Sequence, residues 1–241
     1  MKVDLKGKVA LITGAARGLG LSIAEELAAK GVNICGTDIR LQKLQSEFTR
    51  IVEENGVETL ALEADVGKES DVKNIVKAAF DKWGKIDILI NNAGVRIVGP
   101  TTDADSETWD TMLDTNLKGQ FLCTREVLKQ GMAEQNEGVI IFISSDAGKY
   151  GKKNSSIYCA SKWGIIGYAE SIADELKKTG IRVTTIAPGR IWTPMAEESE
   201  AAKMDLDWLD AKDVSSAIVF CITQDRDVII PELRIYPRSQ I

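Results

Sequence analysis

The chain has 241 residues, of which 44% are hydrophobic and 27% charged, and its formal net charge at pH 7 is −6. A chain of this length buries a large core without disulfides or metals, and an acidic chain without a Lys/Arg-rich run argues against nucleic acid as a partner. The sequence contains no histidine, which excludes a Ser-His-Asp triad and imidazole metal sites, so acid/base chemistry must use Tyr, Lys, Cys or carboxylates.

The apolar runs are too short for a membrane span, and the first residues lack the apolar stretch of a signal peptide. We therefore expect a cytoplasmic protein with no membrane partner. The four cysteines lie far apart and form no C-x-x-C pair, so no metal site is predicted.

Hydrophobic runs of strand length alternate with amphipathic stretches of helix length along the whole chain. This alternation predicts an α/β fold: a single-domain, doubly wound (Rossmann) parallel sheet with helices on both faces, over residues 1–241. The predicted strands are 9–12, 33–37, 58–64, 86–90, 139–143, 182–186 and 233–236, and the predicted helices are 19–30, 41–54, 70–83, 107–134, 156–178 and 211–222. The ligand crevice of such a sheet lies at the carboxyl ends of its strands.

A glycine-rich turn follows the first predicted strand, with Gly14, Gly18 and Gly20 spaced G-x-x-x-G-x-G. Glycine lets backbone N–H groups approach a pyrophosphate, and the N-terminus of the next helix faces the negative charge. Alone, the turn is equally consistent with a tight connection; its place after the first strand favours a dinucleotide site.

Asp38 ends the second predicted strand, 18 residues beyond Gly20. An acidic residue at about this spacing binds the adenosine ribose hydroxyls and repels the 2′-phosphate of NADP, so the sequence favours NAD over NADP. Arg17 and Arg40 offer guanidinium groups that would offset the repulsion, and a merely solvated Asp at a strand end is the alternative.

Two further strand ends carry polar or glycine-containing turns: Asp65-Val66 after the third strand, and Asn91-Asn92-Ala93-Gly94 after the fourth. Asn side chains tie down irregular backbone there, and Gly94 permits close approach. Ordinary turn chemistry is the alternative at each site. Because both turns are expected at the same edge of the sheet, a role in lining the ligand crevice is favoured over ordinary turn chemistry.

Tyr158 and Lys162 are four residues apart, so on a helix they project from one face. Proton exchange near pH 7 needs the pKa of a tyrosine to fall by an amount worth about 4 kcal/mol, which an ammonium about 4 Å away supplies at an effective dielectric near 20. Such a pair also arises by chance on many helices. In a chain without histidine it is a candidate acid/base pair.

Together these motifs resemble those of the short-chain dehydrogenase/reductase family, over about residues 5–193. The matching positions are Gly14, Gly18 and Gly20, the N-N-A-G run 91–94, Asn116, Ser145, Tyr158-x-x-x-Lys162 and Pro188-Gly189. Ser145 precedes Tyr158 by 13 residues, the family spacing, which selects it over Ser144.

The resemblance implies a role for each matching residue. Tyr158 would be the general acid/base, Ser145 would bind the substrate oxygen, Lys162 would bind the nicotinamide ribose and lower the pKa of Tyr158, and Asn116 would hold a water in a proton relay. Asp65 and Val66 would contact the adenine. The remaining expected cofactor contacts are Arg17, Leu19, Asp38, Asn92, Ala93, Gly94, Pro188, Gly189, Ile191 and Thr193.

These motifs predict an NAD(H)-dependent oxidoreductase that interconverts a small-molecule alcohol and ketone. The alternatives are an NADPH-dependent 3-oxoacyl-[acyl-carrier-protein] reductase and a catalytically silent NAD-binding regulatory or scaffold protein. We expect residues 191–210 to cover the substrate, with Arg96, Lys152 and Lys153 as candidate receivers of an anion. By resemblance the assembly is a homodimer or homotetramer, although the last strand is entered differently from the family pattern.

Overall fold

The computed structural model describes residues 3–197, 200–204 and 206–240. The described residues form one sheet of seven parallel strands in the order β3-β2-β1-β4-β5-β6-β7. The strands are β1 (Val9–Thr13), β2 (Asn33–Asp38), β3 (Thr59–Glu63), β4 (Ile88–Asn91), β5 (Glu137–Ile143), β6 (Gly180–Pro188) and β7 (Glu232–Ile235). The predicted doubly wound α/β fold is confirmed.

Helices connect these strands. They are α1 (Gly18–Ala28), α2 (Leu41–Asn55), α3 (Glu69–Trp83), α4 (Ser106–Leu113), α5 (Gly119–Val127), α6 (Ala133–Gln135), α7 (Ser156–Leu176), α8 (Pro194–Glu197) and α9 (Ala211–Ile222). Among the described residues, no helix combines the length and the apolar character needed to cross a membrane.

The sheet is buried on both faces because successive side chains along a strand point to opposite sides. In β1, Ala10 and Ile12 pack into one hydrophobic cluster with α1, α2 and α9, whereas Leu11 packs into the other with α3, α5 and α7. The strand order reverses between β1 and β4, and this reversal opens the crevice at the carboxyl ends of those two strands.

The predicted helix over 107–134 differs from the observed one. Two π-helical turns, Asp114–Lys118 and Leu128–Met132, separate α4, α5 and α6. A π turn accommodates an extra residue, and hydrophobic spacing carries no clear signal for it. The first of these turns contains Asn116, which it directs into the protein interior, where the residue is 0% exposed.

Candidate active site

The glycine turn between β1 and α1 forms a cradle that side chains would fill. Gly14 and Gly18 have φ values of +68° and +58°, a region that disfavours residues with a Cβ. A Cβ at Gly20 would lie 2.1 Å from the Gly14 carbonyl oxygen and 2.6 Å from Asn92 Nδ2. α1 begins at Gly18 without a side-chain cap, at the carboxyl edge of the sheet.

The loop after β4 is tied directly to this cradle. Asn92 Nδ2 donates to the carbonyl oxygens of Thr13 and Gly14 at 2.8 and 3.2 Å, and the backbone N–H groups of Asn92 and Ala93 each donate to Thr13 Oγ1 at 3.0 Å. These bonds fix the distance between β1 and β4 where the strand order reverses. This role of Thr13 was not predicted from the sequence, where its position immediately before Gly14 was the available signal.

Asp38 lies beside the cradle and is 6% exposed. Its Oδ2 accepts a hydrogen bond from Ala16 N at 3.3 Å, while its Oδ1 accepts from Arg40 N at 3.0 Å and from Arg40 Nη1 at 3.1 Å. The carboxylate is thus held between the glycine turn and one guanidinium. This buried arrangement is not that of a solvated Asp at a strand end.

The residues after β3 lie at the same edge. Asp65 Oδ1 accepts from Gly67 N at 3.0 Å, which is a local turn contact, and Asp65 N donates to Asp71 Oδ2 at 3.1 Å. Val66 is buried against Gly119 of α5. These hydrogen bonds of Asp65 stabilise the turn, and they do not in themselves indicate a ligand-binding role.

Asn116 holds the loop that follows Gly94. Its Nδ2 donates to the Val95 carbonyl oxygen at 2.9 Å and to Ser161 Oγ at 3.1 Å, and its Oδ1 accepts from Val95 N at 2.8 Å. A Cβ at Gly94 would lie 3.2 Å from Asn116 Oδ1 and 3.8 Å from Lys162 Nζ. Asn116 thus anchors backbone, and its Oδ1 and the Lys162 ammonium both adjoin Gly94.

The structure brings Ser145, Tyr158 and Lys162 together at the carboxyl end of β5. Ser145 lies just beyond β5, close enough to the Tyr158 hydroxyl near the start of α7 to act on its pKa. One turn further along α7, Lys162 is 4% exposed, and its Nζ donates to the Ile143 carbonyl oxygen at 2.9 Å and lies 5.6 Å from the centroid of the Tyr158 ring.

The pKa of Tyr158 is shifted in the direction opposite to the one expected from the sequence. Burial raises the pKa of Tyr158 above its ordinary value of 10, while the hydrogen bond to Ser145 and the charge of Arg96 act to lower it. Burial lowers the pKa of Lys162 from 10.5 to about 8. We expected Lys162 to lower the pKa of Tyr158; the pKa of Tyr158 is raised overall, because loss of water around the phenol outweighs the lowering influences, and the part of Lys162 stays a prediction.

The segment after β6 lies across the crevice from the cradle. A Cβ at Gly18 would lie 3.5 Å from Thr193 Cβ, so this segment comes close to the start of α1. Ile191 pairs with Leu209 through an isolated β-bridge, and Trp192 packs edge-on against Trp208 with ring centroids 5.3 Å apart. Parts of the predicted covering segment, residues 198–199 and 205, lie outside the described residues.

One acidic residue at the site was missed by the sequence argument. Asp146 is 5% exposed; its Oδ1 accepts from Ser145 Oγ at 3.0 Å, and its Oδ2 accepts from Lys152 Nζ and from Gln240 Nε2. Gln240 Oε1 in turn accepts from Arg190 N at 2.8 Å, just beyond Pro188-Gly189. The C-terminal Gln240 therefore bridges the loops after β5 and β6.

A comparison with known protein families decides the identity of this architecture. The family model described as short chain dehydrogenase matches residues 8–204. The chain belongs to the short-chain dehydrogenase/reductase family. It is an NAD(P)-dependent oxidoreductase acting on CH–OH groups.

Individual family members are similar over most of the chain. An oxidoreductase of Staphylococcus saprophyticus is 35% identical over 98% of this chain and 99% of its own length. A 3-oxoacyl-[acyl-carrier-protein] reductase of Synechocystis is 37% identical over 82% of this chain and 79% of its own. The solved structure of a single-residue variant of actinorhodin polyketide ketoreductase with NADPH superimposes with a TM-score of 0.88 at 30% identity, covering 95% of each chain.

Proposed function

We propose that this member of the family interconverts an alcohol and a ketone with NAD(H), with Tyr158 exchanging the proton. The observation that carries the proposal is the Lys162 ammonium 5.6 Å from the centroid of the Tyr158 ring, with Ser145 close enough to the Tyr158 hydroxyl to act on its pKa. All three side chains lie at the carboxyl edge of the sheet, beside the loop that is tied to the glycine cradle.

The fit of a dinucleotide rests on the cradle that a Cβ at Gly20 would obstruct. The uncapped N-terminus of α1 would hold the pyrophosphate, Asp38 the adenosine ribose and Lys162 the nicotinamide ribose. When bound, the nicotinamide donates or accepts the hydride. The full proposed contact set is Gly14, Arg17, Gly18, Leu19, Gly20, Asp38, Asp65, Val66, Asn92, Ala93, Gly94, Tyr158, Lys162, Pro188, Gly189, Ile191 and Thr193.

The protonation state of Tyr158 suits ketone reduction. With a pKa raised above 10, the phenol carries its proton at neutral pH and can donate it to the carbonyl oxygen while the carbonyl carbon gains the hydride. The C=O double bond then becomes a C–O single bond, with one new C–H bond from the hydride and one new O–H bond from the proton. In oxidation the same atoms move in reverse, and Tyr158 must first lose its proton.

Ser145 and Lys162 support that transfer in different ways. The Ser145 hydroxyl, adjacent to Tyr158, would hydrogen-bond the substrate oxygen. Lys162, with a pKa of about 8, is mostly charged at pH 7, and its ammonium would stabilise the phenolate left after donation. Asn116 holds the Val95 loop beside Lys162, and its part in a water relay stays a prediction.

The preference for NAD rests on Asp38. A 2′-phosphate bound beside this buried carboxylate would meet like charge, and Arg40 already pairs with Asp38 at 3.1 Å. A specific observation favours a second candidate, an NADPH-dependent 3-oxoacyl-[acyl-carrier-protein] reductase: the Synechocystis reductase is 37% identical, and the structurally similar ketoreductase holds NADPH. In that case Arg40 would leave Asp38 to bind the phosphate.

Turnover of a small panel of ketones and alcohols with each cofactor at equal concentration tests the proposal. We expect NAD(H) to support faster turnover than NADP(H). In Tyr158→Phe we expect turnover to fall by about 10²- to 10⁴-fold while dinucleotide binding is retained, because the ring stays and the proton is lost.

Tyr168→Phe is the matched control, since Tyr168 lies on the same helix and packs against Phe121 and Phe142 away from Ser145. We expect it to retain turnover. Unchanged turnover in Tyr158→Phe would remove this residue from the mechanism, and a strong preference for NADPH would favour the second candidate.

A further inference from the structure

A positively charged side chain lies over the proposed catalytic phenol. The guanidinium carbon of Arg96, in the loop after β4, is 5.9 Å from the centroid of the Tyr158 ring. Its charge acts on the Tyr158 hydroxyl, yet the side chain is exposed and no carboxylate lies within ion-pairing distance of it among the described residues. Arg96 thus leaves its five N–H donors available at the site.

The acidic residue nearest this chemistry is already paired. Asp146 accepts hydrogen bonds from Ser145, Lys152 and Gln240, and Lys152 forms an ion pair with it. A buried carboxylate with a cation and two further donors has its charge and its lone pairs satisfied. Among the described residues, Arg96 and Lys162 are the cations beside Tyr158 that no carboxylate pairs, and of the two Arg96 is the exposed one.

We propose that Arg96 binds a carboxylate of the substrate, so that the enzyme acts on a short hydroxy acid and the corresponding oxo acid. This inference rests on the proposed function, because it places the reacting carbon at Tyr158. A planar guanidinium forms two parallel hydrogen bonds with a carboxylate, which fixes the orientation of the substrate as well as binding it.

The position of Arg96 also limits the size of the substrate. Because the guanidinium lies over the ring whose hydroxyl meets the reacting oxygen, the carboxylate must be only a few bonds from that carbon. A carrier-linked 3-oxoacyl thioester has no charge there, so it would gain nothing from Arg96. Arg96 would therefore favour short hydroxy acids over carrier-linked thioesters as substrates.

Equilibrium binding tests the inference without turnover. Calorimetry would measure the affinity of the holoenzyme, saturated with NAD, for butanoate and for the neutral butanamide. We expect the wild type to bind butanoate at least about tenfold more tightly, Arg96→Ala to lose that difference, and Arg96→Lys to keep part of it. Lys178→Ala is the control, since it removes an exposed charge just beyond the C-terminal end of α7, far along that helix from Tyr158, and should keep the preference.

Kinetics then extends the test to substrates. With 3-hydroxybutanoate and 2-butanol, Arg96→Ala should raise KM for the acid by about tenfold or more relative to KM for the neutral alcohol. Equal binding of butanoate and butanamide by the wild type would overturn the inference, as would equal losses for both ligands in Arg96→Ala. Failure of the proposed function is distinct: Tyr158→Phe would then retain turnover, whatever the butanoate affinities.

Discussion

The side-chain amide of Gln240 donates a hydrogen bond to the carboxylate of Asp146, 94 residues earlier in the chain, at 2.5 Å. Asp146 in turn accepts from the Ser145 hydroxyl, and Gln240 Oε1 accepts from Arg190 N. One C-terminal side chain therefore connects the loop that carries Ser145 with the loop that follows Pro188-Gly189.

Replacement of Gln240 by Ala should lower kcat by about tenfold with a smaller change in KM, because Ser145 loses the support that orients its hydroxyl. Steady-state kinetics measures the split between the two constants. Ser239→Ala is the matched control, since Ser239 is exposed and only accepts a 3.5 Å contact from Arg190 Nη2. Wild-type kcat in Gln240→Ala would show that Ser145 is oriented without the tail.

Replacement of Asp38 by Ala should raise the ratio of kcat/KM with NADP to that with NAD by about tenfold or more. The substitution removes the like charge beside a 2′-phosphate and releases the Arg40 guanidinium to bind it. Glu63→Gln removes a charge from the residue paired with Asp38 in the sheet register and should leave the ratio unchanged. An unchanged ratio in the Asp38 variant would contradict the ribose contact.

Replacement of Gly20 by Ala should lower both the free energy of unfolding, by about 1–3 kcal/mol, and the affinity for the dinucleotide. The new methyl group meets the Gly14 carbonyl oxygen at 2.1 Å, so the cradle must open. Urea unfolding and dinucleotide fluorescence measure the two effects. Gly99→Ala, where no heavy atom lies within 4 Å of the new Cβ, should change neither. An unchanged free energy of unfolding and an unchanged dinucleotide affinity in Gly20→Ala would contradict the close contact between residues 14 and 20.

Replacement of Lys162 by Met should stabilise the fold at pH 7 and do so less at pH 10. Because the pKa of Lys162 falls from 10.5 to about 8, the unfolded chain binds this proton more tightly, so wild-type stability rises as pH increases from about 8 to 10.5. The pKa difference corresponds to about 3 kcal/mol. Urea unfolding of both proteins at the two pH values measures the change, and a stability difference independent of pH would contradict burial of a charged Lys162.

The sequence was sufficient to predict the fold and the helical pair of Tyr158 and Lys162. Alternating strand and helix patterns leave few topologies once crossovers are right-handed, and an i, i+4 spacing places two side chains on one face of a helix. Both inferences depend only on local periodicity and general rules of chain geometry.

Contacts between distant segments could not be predicted in this way. The bond from Gln240 to Asp146 and the position of Arg96 over Tyr158 depend on how loops from different strands meet. The direction of the Tyr158 pKa likewise depends on how much water its phenol loses, which no residue spacing records.

The hydrogen bonds of Asn92 with Thr13 and Gly14 complete the glycine cradle within residues 9–94. Tyr158, Lys162 and the start of the segment after β6 come from later in the chain, so the proposed contacts to the adenosine and pyrophosphate and those to the nicotinamide half are encoded in separate stretches of sequence. Residues 194–210 lie beyond the last proposed dinucleotide contact, Thr193, so exchanging them with those of another family member should create a chimera with altered selectivity and an unaltered affinity for its dinucleotide.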